Sequence, residues 1–404
     1  MTLRVLHLDH TVEPGGAELA LRRLVGAARW SPSIMVPRAP DRGVFEAAST
    51  DISVVRRGPA QPAGAARAGR LSALMVGARL AGAAAVVATS RAFREADVVH
   101  ANSTRSGVYA AIACRIGRKP LVVHVRDTVS PEVMGRLGHA LYARFVLPSA
   151  ARVIANSSAT ATSARPHARV AVDVIASPSG IRRESGRQAS SGFNDTVTPT
   201  IGMVARIAHW KGQDLLIRAF ASALRGSDWR LRLAGGTSFD ASDYLAELKA
   251  LVDEVGIAEQ VVFVGHVDDV FAEIARYDIC VQFSRWAEPL GQNVLQYLAS
   301  GRATIAADEG GPREWIVDGV NGLLVTPRDV MALTEALRLL TNDTGLRTRL
   351  AAAGPETDGL EDDVTIAARH EEVFRAVAAT RGARPATDTE EDTVSHRVTK
   401  GWTR

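Results

Sequence analysis

The chain has 404 residues, of which 46% are hydrophobic and 23% charged, with 34 Gly, 17 Pro and 2 Cys. That length holds two domains, or three at most, and the ordinary aliphatic content with a net charge of +4 excludes a disordered chain. Cys114 and Cys280 sit far apart inside apolar stretches, which excludes a disulfide framework.

From the first residue the hydrophobic period alternates. Short aliphatic runs at 3–9, 33–37, 52–55, 96–101, 121–125 and 152–156 predict buried strands, and 17–28, 105–116 and 135–147 predict helices between them. Uninterrupted apolar strands alternating with helices imply a parallel sheet covered on both faces. The opening 1–9 reads as a strand and not as a signal peptide. The stretch 71–90 carries Arg79 and much Ala and Gly, too weakly apolar for a membrane span, and is expected to be an ordinary helix.

The run 183–200 is poor in aliphatics and rich in Ser, Gly and Thr, and marks a linker. Beyond it the alternation restarts, with strands expected at 200–205, 229–236, 260–266, 279–284, 303–308 and 322–327 and helices at 214–224, 243–255, 330–340 and 366–379. The expected organisation is an α/β domain over 1–184, a linker at 185–199, a second α/β domain over 200–362, a helix at 363–380 and a disordered tail at 381–404. Two doubly wound sheets in tandem place a ligand cleft between their strand C-terminal ends.

Charge is split between the halves. Residues 1–184 hold 25 Lys+Arg against 12 Asp+Glu, a balance of +13, and residues 185–404 hold 23 against 32, a balance of −9. Such a split points to an anionic partner for the first half.

Three motifs carry chemistry. In EPGGAELAL at 13–21, Gly15-Gly16 follows a strand and opens a helix, where backbone amides favour an anion. In MVARIAHWKGQDLLIRAF at 203–220, Arg206 leaves a strand and Lys211 enters the next helix, so two cations and a helix start can meet one diphosphate. Lysine occurs only at 119, 211, 249 and 400 against 44 arginines, so its use at 211 is not an accident of composition. The third motif spans 284–325, with Glu288 before a Pro-Leu-Gly turn, a helix to Ser300, and Gly310-Gly311 ahead of Glu314.

Together these motifs resemble the retaining glycosyltransferases of family 4, the group 1 transferases, which have the GT-B architecture of two facing Rossmann-like domains. The matching residues are Gly15-Gly16, Arg206 with Lys211-Gly212, Ser284 with Glu288 to Gly291, Gly310-Gly311 with Glu314, and Asp318 to Gly322. The match is strong over 199–340, fair over 1–30 and 95–160, and absent from the tail. The resemblance implies a nucleotide-diphosphate sugar as co-substrate, bound mainly by the second domain. Arg206 and Lys211 would neutralise the leaving diphosphate, the largest catalytic effect in such chemistry. Glu288 would hold donor-sugar hydroxyls, and the amides of Leu290 and Gly291 the phosphates. The base would lie near Gly235-Gly236 and Gly265, His266 and Val267. No cofactor and no metal are expected, since no Asp-x-Asp or His/Cys cluster with ligand spacing is present.

Two departures stand out. Gln296 replaces the second Glu of the family's E-x₇-E motif, which implies altered ribose contacts and a Gln296→Glu change that keeps or improves donor affinity. After the strand at 121–125, Arg126-Asp127 stands where the family often has His-Asp, with His124 two residues earlier on the same face of the strand. His124, Arg126, Asp127, Asn156 and Ser157 are the cleft and acceptor-side candidates.

The implied function is a retaining, metal-independent, hexosyltransferase-like enzyme of cell-envelope, polysaccharide or glycolipid synthesis. A natural-product glycosyltransferase, a nucleotide-sugar epimerase and a catalytically weak binding subunit are the alternatives. The acceptor is expected on the basic first domain, as a lipid-linked, saccharide or small-molecule hydroxyl. Arg56, Arg57, Arg67, Arg70, Arg79, Arg91 and Arg94 suit an anionic membrane surface, which implies a cytoplasmic protein peripheral to the inner face. No nucleic-acid module is present.

Overall fold

The computed structural model describes residues 2–39, 43–45, 52–59, 70–182, 198–237 and 242–382. The expected linker up to residue 197, the tail from 383 and Arg67 lie outside these described residues.

Two wholly parallel sheets follow one another along the chain. The first contains β1 (Arg4–Leu8), β2 (Ser31–Val36), β3 (Ser53–Arg56), β4 (Val98–Ala101), β5 (Leu121–Val125), β6 (Arg152–Ala155) and β7 (Val172–Val174), in the order β3-β2-β1-β4-β5-β6-β7. The second contains β8 (Thr200–Val204), β9 (Arg230–Ala234), β10 (Val261–Gly265), β11 (Ile279–Gln282), β12 (Ala303–Ala307) and β13 (Leu323–Val325), in the order β10-β9-β8-β11-β12-β13. Every residue of β4, β5, β11 and β12 is buried, because helices cover both faces. The order reverses between β1 and β4 and between β8 and β11, and ligands of doubly wound sheets bind beyond the strand ends at such switch points.

The strands expected from the sequence all form, and β7 is an addition. Its three half-buried residues, Val-Asp-Val, are too short and too mixed to show a period. The single helix expected over 135–147 is broken. Gly135, at φ 71°, separates Pro131–Met134 from Arg136–Leu141, and the chain then widens into a π-turn at Tyr142–Val146. Pro148 has no N–H to return to the carbonyl four residues back, and Leu147 bonds instead to Tyr142 O, five residues back.

The last helix, Asp363–Gly382, leaves the second domain and lies across the first sheet. Its Phe374 is fully buried in a core that also contains Leu21, Ile34, Val98 and Ile154 of the first domain and Val294 and Leu298 of the second. Under it lie three fully buried histidines from adjacent strands: His7, its register partner His100, and His124. Their tautomers can be assigned from one donor. The Trp30 indole N–H donates to His7 Nε2 at 3.1 Å, so the His7 proton sits on Nδ1 and donates to His100 Nδ1 at 2.9 Å. His100 Nε2–H then donates to His124 Nδ1 at 3.3 Å, which leaves the last proton on His124 Nε2. His370 of the C-terminal helix donates from Nδ1 to Ile366 O at 2.8 Å, so its Nε2 is a bare acceptor. His124 Nε2 and His370 Nε2 have no partner among the described residues, and the two rings lie 5.5 Å apart. A donor and an acceptor thus lie on neighbouring rings, unbonded to each other, where the helix crosses the sheet.

Burial holds all four imidazoles neutral. It lowers His7 to about 3 and His370 to about 4, and keeps His100 and His124 well below their ordinary value. The unfolded rings titrate near 6.5, so the stability from this neutral ladder is complete above that pH and is lost as pH falls toward the folded values. The ladder's contribution to the melting temperature is therefore expected to be constant above pH 6.5 and to fall below pH 6. In His370→Leu, which removes one titrating ring, the acid slope should be shallower when followed by calorimetry.

Candidate active site

On the second domain, three loops at the strand ends converge and are held at contact distance by glycines. Gly212 (φ 71°) would place a Cβ 2.2 Å from Phe283 O, and a Cβ at Gly310 or Gly311 would lie 2.4 Å from the carbonyl of Glu288 or Leu290. Gly311 N also donates to Glu288 O at 2.8 Å. The loops after β8, β11 and β12 therefore form one body, with Glu288 at its centre. Its Oε1 accepts from Lys211 Nζ and from Ser284 Oγ, each at 2.5 Å. Lys211 also lies 3.9 Å over the Trp210 ring, and the Trp286 ring stacks near-parallel to Trp210. An ammonium has three donors, so after Glu288 two remain for a phosphate oxygen. Arg206 is exposed at the end of β8, and its backbone carbonyl is pinned by Gln213 Nε2 at 2.9 Å.

Leu290 and Gly291 lead into the helix Gln292–Ala299. Gly16, opening the helix Gly16–Gly26 of the first domain, would bring a Cβ to 3.4 Å from Gln292 Oε1, so two helix starts face each other across the cleft. Gly235-Gly236 and Gly265, His266 and Val267 form the far wall at the ends of β9 and β10. Gly235 N donates to Gly265 O at 2.7 Å, and a Cβ at Gly235 would meet Ala205 O at 2.0 Å.

Several expected cleft residues are buried and held by their neighbours. His124 does not reach the cleft: it is fully buried in the histidine ladder, because its face of β5 is covered by the C-terminal helix. Arg126 is 8% exposed, and its guanidinium is engaged by Asn102 Oδ1 at 2.6 and 3.0 Å and by Ser177 Oγ at 2.7 Å. Burial lowers it to about 10, still charged at neutral pH. Asn156 is buried, donating to Arg126 O and accepting from Thr160, and Ser157 caps the helix Ser158–Ala164. Asp127 does open to solvent. The cleft walls raise its carboxyl, Arg126 pulls it down, and the charge of Glu288 opposite adds to the rise.

Gln296 is 5% exposed and donates from Nε2 to Ser179 O at 2.8 Å, on the segment joining the domains. That bond gives the Gln296→Glu change a cost in stability, separate from its effect on donor affinity. A carboxylate would lose this donor and face a carbonyl, so the change should destabilise the protein by about 1–3 kcal/mol in urea titration.

Two features escaped the sequence reading. Glu314, in the second domain, accepts from the backbone N–H of Ser158 and Ala159 at 2.8 and 2.7 Å and so caps a helix of the first domain. Asp9, His10 and Glu18 bring their polar atoms within 4.8 Å of one another beside Gly15, a convergence of metal-ligating types among the described residues. Asp9 is already bonded by Asn102 Nδ2 at 2.5 Å and by His10 at 3.1 Å. Glu18 is raised to about 7 by burial and then by the Asp9 charge. Since the folded value of Glu18 is raised, its stabilising effect is full below about pH 4.5 and is lost as pH rises through 7. Glu18→Gln should therefore be more stable than the native chain at pH 8, with no difference at pH 4, by thermal melts at both.

Residues 15–184 match the family described as Glycosyltransferase Family 4, and residues 187–357 match Glycosyl transferases group 1. The lipopolysaccharide core biosynthesis mannosyltransferase LpcC of Rhizobium leguminosarum bv. viciae is 32% identical over 147 residues, 36% of this chain and 42% of that protein. A GDP-mannose-dependent alpha-(1-6)-phosphatidylinositol monomannoside mannosyltransferase of Mycolicibacterium smegmatis is 32% identical over 165 residues, 39% of this chain and 42% of that protein. The chain thus matches less than half the length of each of these relatives. Among solved structures, Anabaena Alr3699/HepE in complex with UDP and glucose superposes with a TM-score of 0.74 at 27% identity, covering 93% of this chain and 100% of that one. The two matched segments, the paired parallel sheets and this superposition together establish that the chain belongs to the group 1 glycosyltransferases of GT-B fold.

Proposed function

We propose that the protein transfers a sugar from a nucleotide-diphosphate donor to an acceptor hydroxyl, with retention at the anomeric carbon. The observation that carries this reading is the meeting of Lys211, Glu288 and the start of the helix Gln292–Ala299 at the switch point of the second sheet, with Arg206 exposed beside them. Protein cations and helix amides would answer the charge that grows on the leaving diphosphate, without calling on a metal. The Glu288 carboxylate, fixed by Lys211 and Ser284, keeps lone pairs free for sugar hydroxyls. In a retaining transfer without a protein nucleophile, the acceptor oxygen bonds to the anomeric carbon on the face the phosphate leaves. Its proton passes to the departing phosphate oxygen.

The curated relatives are named for lipopolysaccharide core and phosphatidylinositol mannoside synthesis, which supports a role in envelope glycan assembly. HepE was solved with UDP-glucose and the mycolicibacterial relative uses GDP-mannose, so these two donors head a screen. The acceptor belongs on the first domain, as a lipid-linked or saccharide hydroxyl. No described helix is long and apolar enough to cross a membrane.

Lys211→Ala is expected to lower kcat by about 10²–10³-fold while the fold is kept, since it removes a cation that acts on the leaving group. Proton NMR of the product should show the donor's anomeric configuration; an inverted product would overturn the retaining assignment. Nucleotide release without acceptor would favour the epimerase reading instead.

A further inference from the structure

A cavity of about 350 Å³ opens on the first domain, away from the cleft. It lies where the helix Thr104–Gly117 ends ahead of β5, where Pro148 and Ser149 precede β6, and where Arg169 precedes β7. These are the N-terminal ends of parallel strands, roughly 15 Å of strand length from the edge that holds the catalytic loops.

Three of the cavity's lining residues are arginines, Arg115, Arg144 and Arg169. All three are exposed and make no hydrogen bond or ion pair among the described residues. No carboxylate lines the space. Lys119, at the rim, donates to the carbonyls of Arg94 and Ala96. Between the cations the walls are apolar, from Cys114, Phe145 and Pro148, and the neighbouring Ile116 is 71% exposed.

Like charges gathered without counter-charge repel one another, and an anion in their midst removes that cost. Guanidinium groups match phosphate oxygens in pairs, and a space of this size holds more than phosphate alone. We propose that this cavity binds a phosphate ester of headgroup size, with the phosphate between the arginines and its glycerol or sugar portion against Phe145 and Pro148. This is a site separate from donor binding. The ligand chemistry is common to a soluble phosphate ester and to an anionic lipid headgroup, and the exposed Ile116 beside it would contact acyl chains in the second case.

The test uses the full chain with two probes: glycerol 3-phosphate by titration calorimetry, and vesicles of phosphatidylglycerol against phosphatidylcholine by co-sedimentation at low salt. The cavity variant is Arg115→Glu with Arg144→Glu. A charge-matched control carries Arg29→Glu with Arg182→Glu on other exposed surface of the first half. The native chain and the control should bind at least one probe, and the cavity variant should bind it about tenfold more weakly. Binding of vesicles alone assigns the lipid source, and binding of glycerol 3-phosphate assigns the soluble one. Binding of neither probe by the native chain overturns the proposal, as does equal weakening in variant and control. Should the double variant melt early, Arg169→Gln reads the same loss. Nucleotide-diphosphate binding, followed by thermal shift, should be unchanged in both doubles, which separates failure here from failure of the transferase reading.

Discussion

Phe374 and His370, on the last helix, rest on the first sheet, while the body of the preceding chain builds the second sheet. The core around Phe374 runs without interruption from Leu21 and Val98 in the first domain to Val294 and Leu298 in the second. Truncating a buried aromatic of this kind costs about 3–5 kcal/mol, a large share of the stability of any domain. The cleft inherits its geometry from that shared core. With the two sheets fixed against it, the switch points of both are brought face to face, and each loop beyond a strand end then has only a short reach.

Within those limits the site is assembled by close backbone approach. Glycines at 212, 291, 310 and 311 occupy places where a side chain would strike a carbonyl or a proline ring, and their spacing lets three loops share one surface. On that surface a buried ion pair is set, and a second hydroxyl donor compensates its carboxylate. The net charge of a domain says little about such a place. The second half is acidic overall, yet it carries Lys211 and Arg206 at its functional edge, and the surplus arginines of the first half collect in part at the opposite end of their sheet.

The strands were legible because doubly covered parallel strands are written as unbroken apolar runs, and the loops around Lys211 and Glu288 because glycine and lone charged residues punctuate those runs at fixed places. What the sequence could not convey is which face of a strand a helix from 240 residues later will cover. His124 and Arg126 share a face of β5, and the choice between cleft and core for them was made by the C-terminal helix and by Asn102 and Ser177. The amide of Gln296, expected at the ribose, donates to a carbonyl on the joining segment, a bond that spacing in the sequence does not announce. The arginine cavity draws on residues from 111 to 169, whose nearness depends on three helices ending at one sheet edge.

Glu314 caps a helix that belongs to the other domain, and the C-terminal helix roofs a sheet that belongs to the other domain. Duplicated architecture here comes without autonomy. The first half lacks pieces of its own structure that the second half supplies, so the first sheet is expected to melt together with the second as one cooperative body. Cutting the backbone between 183 and 197 would not part the domains. It would turn one protein into two chains, the second holding parts that the first needs.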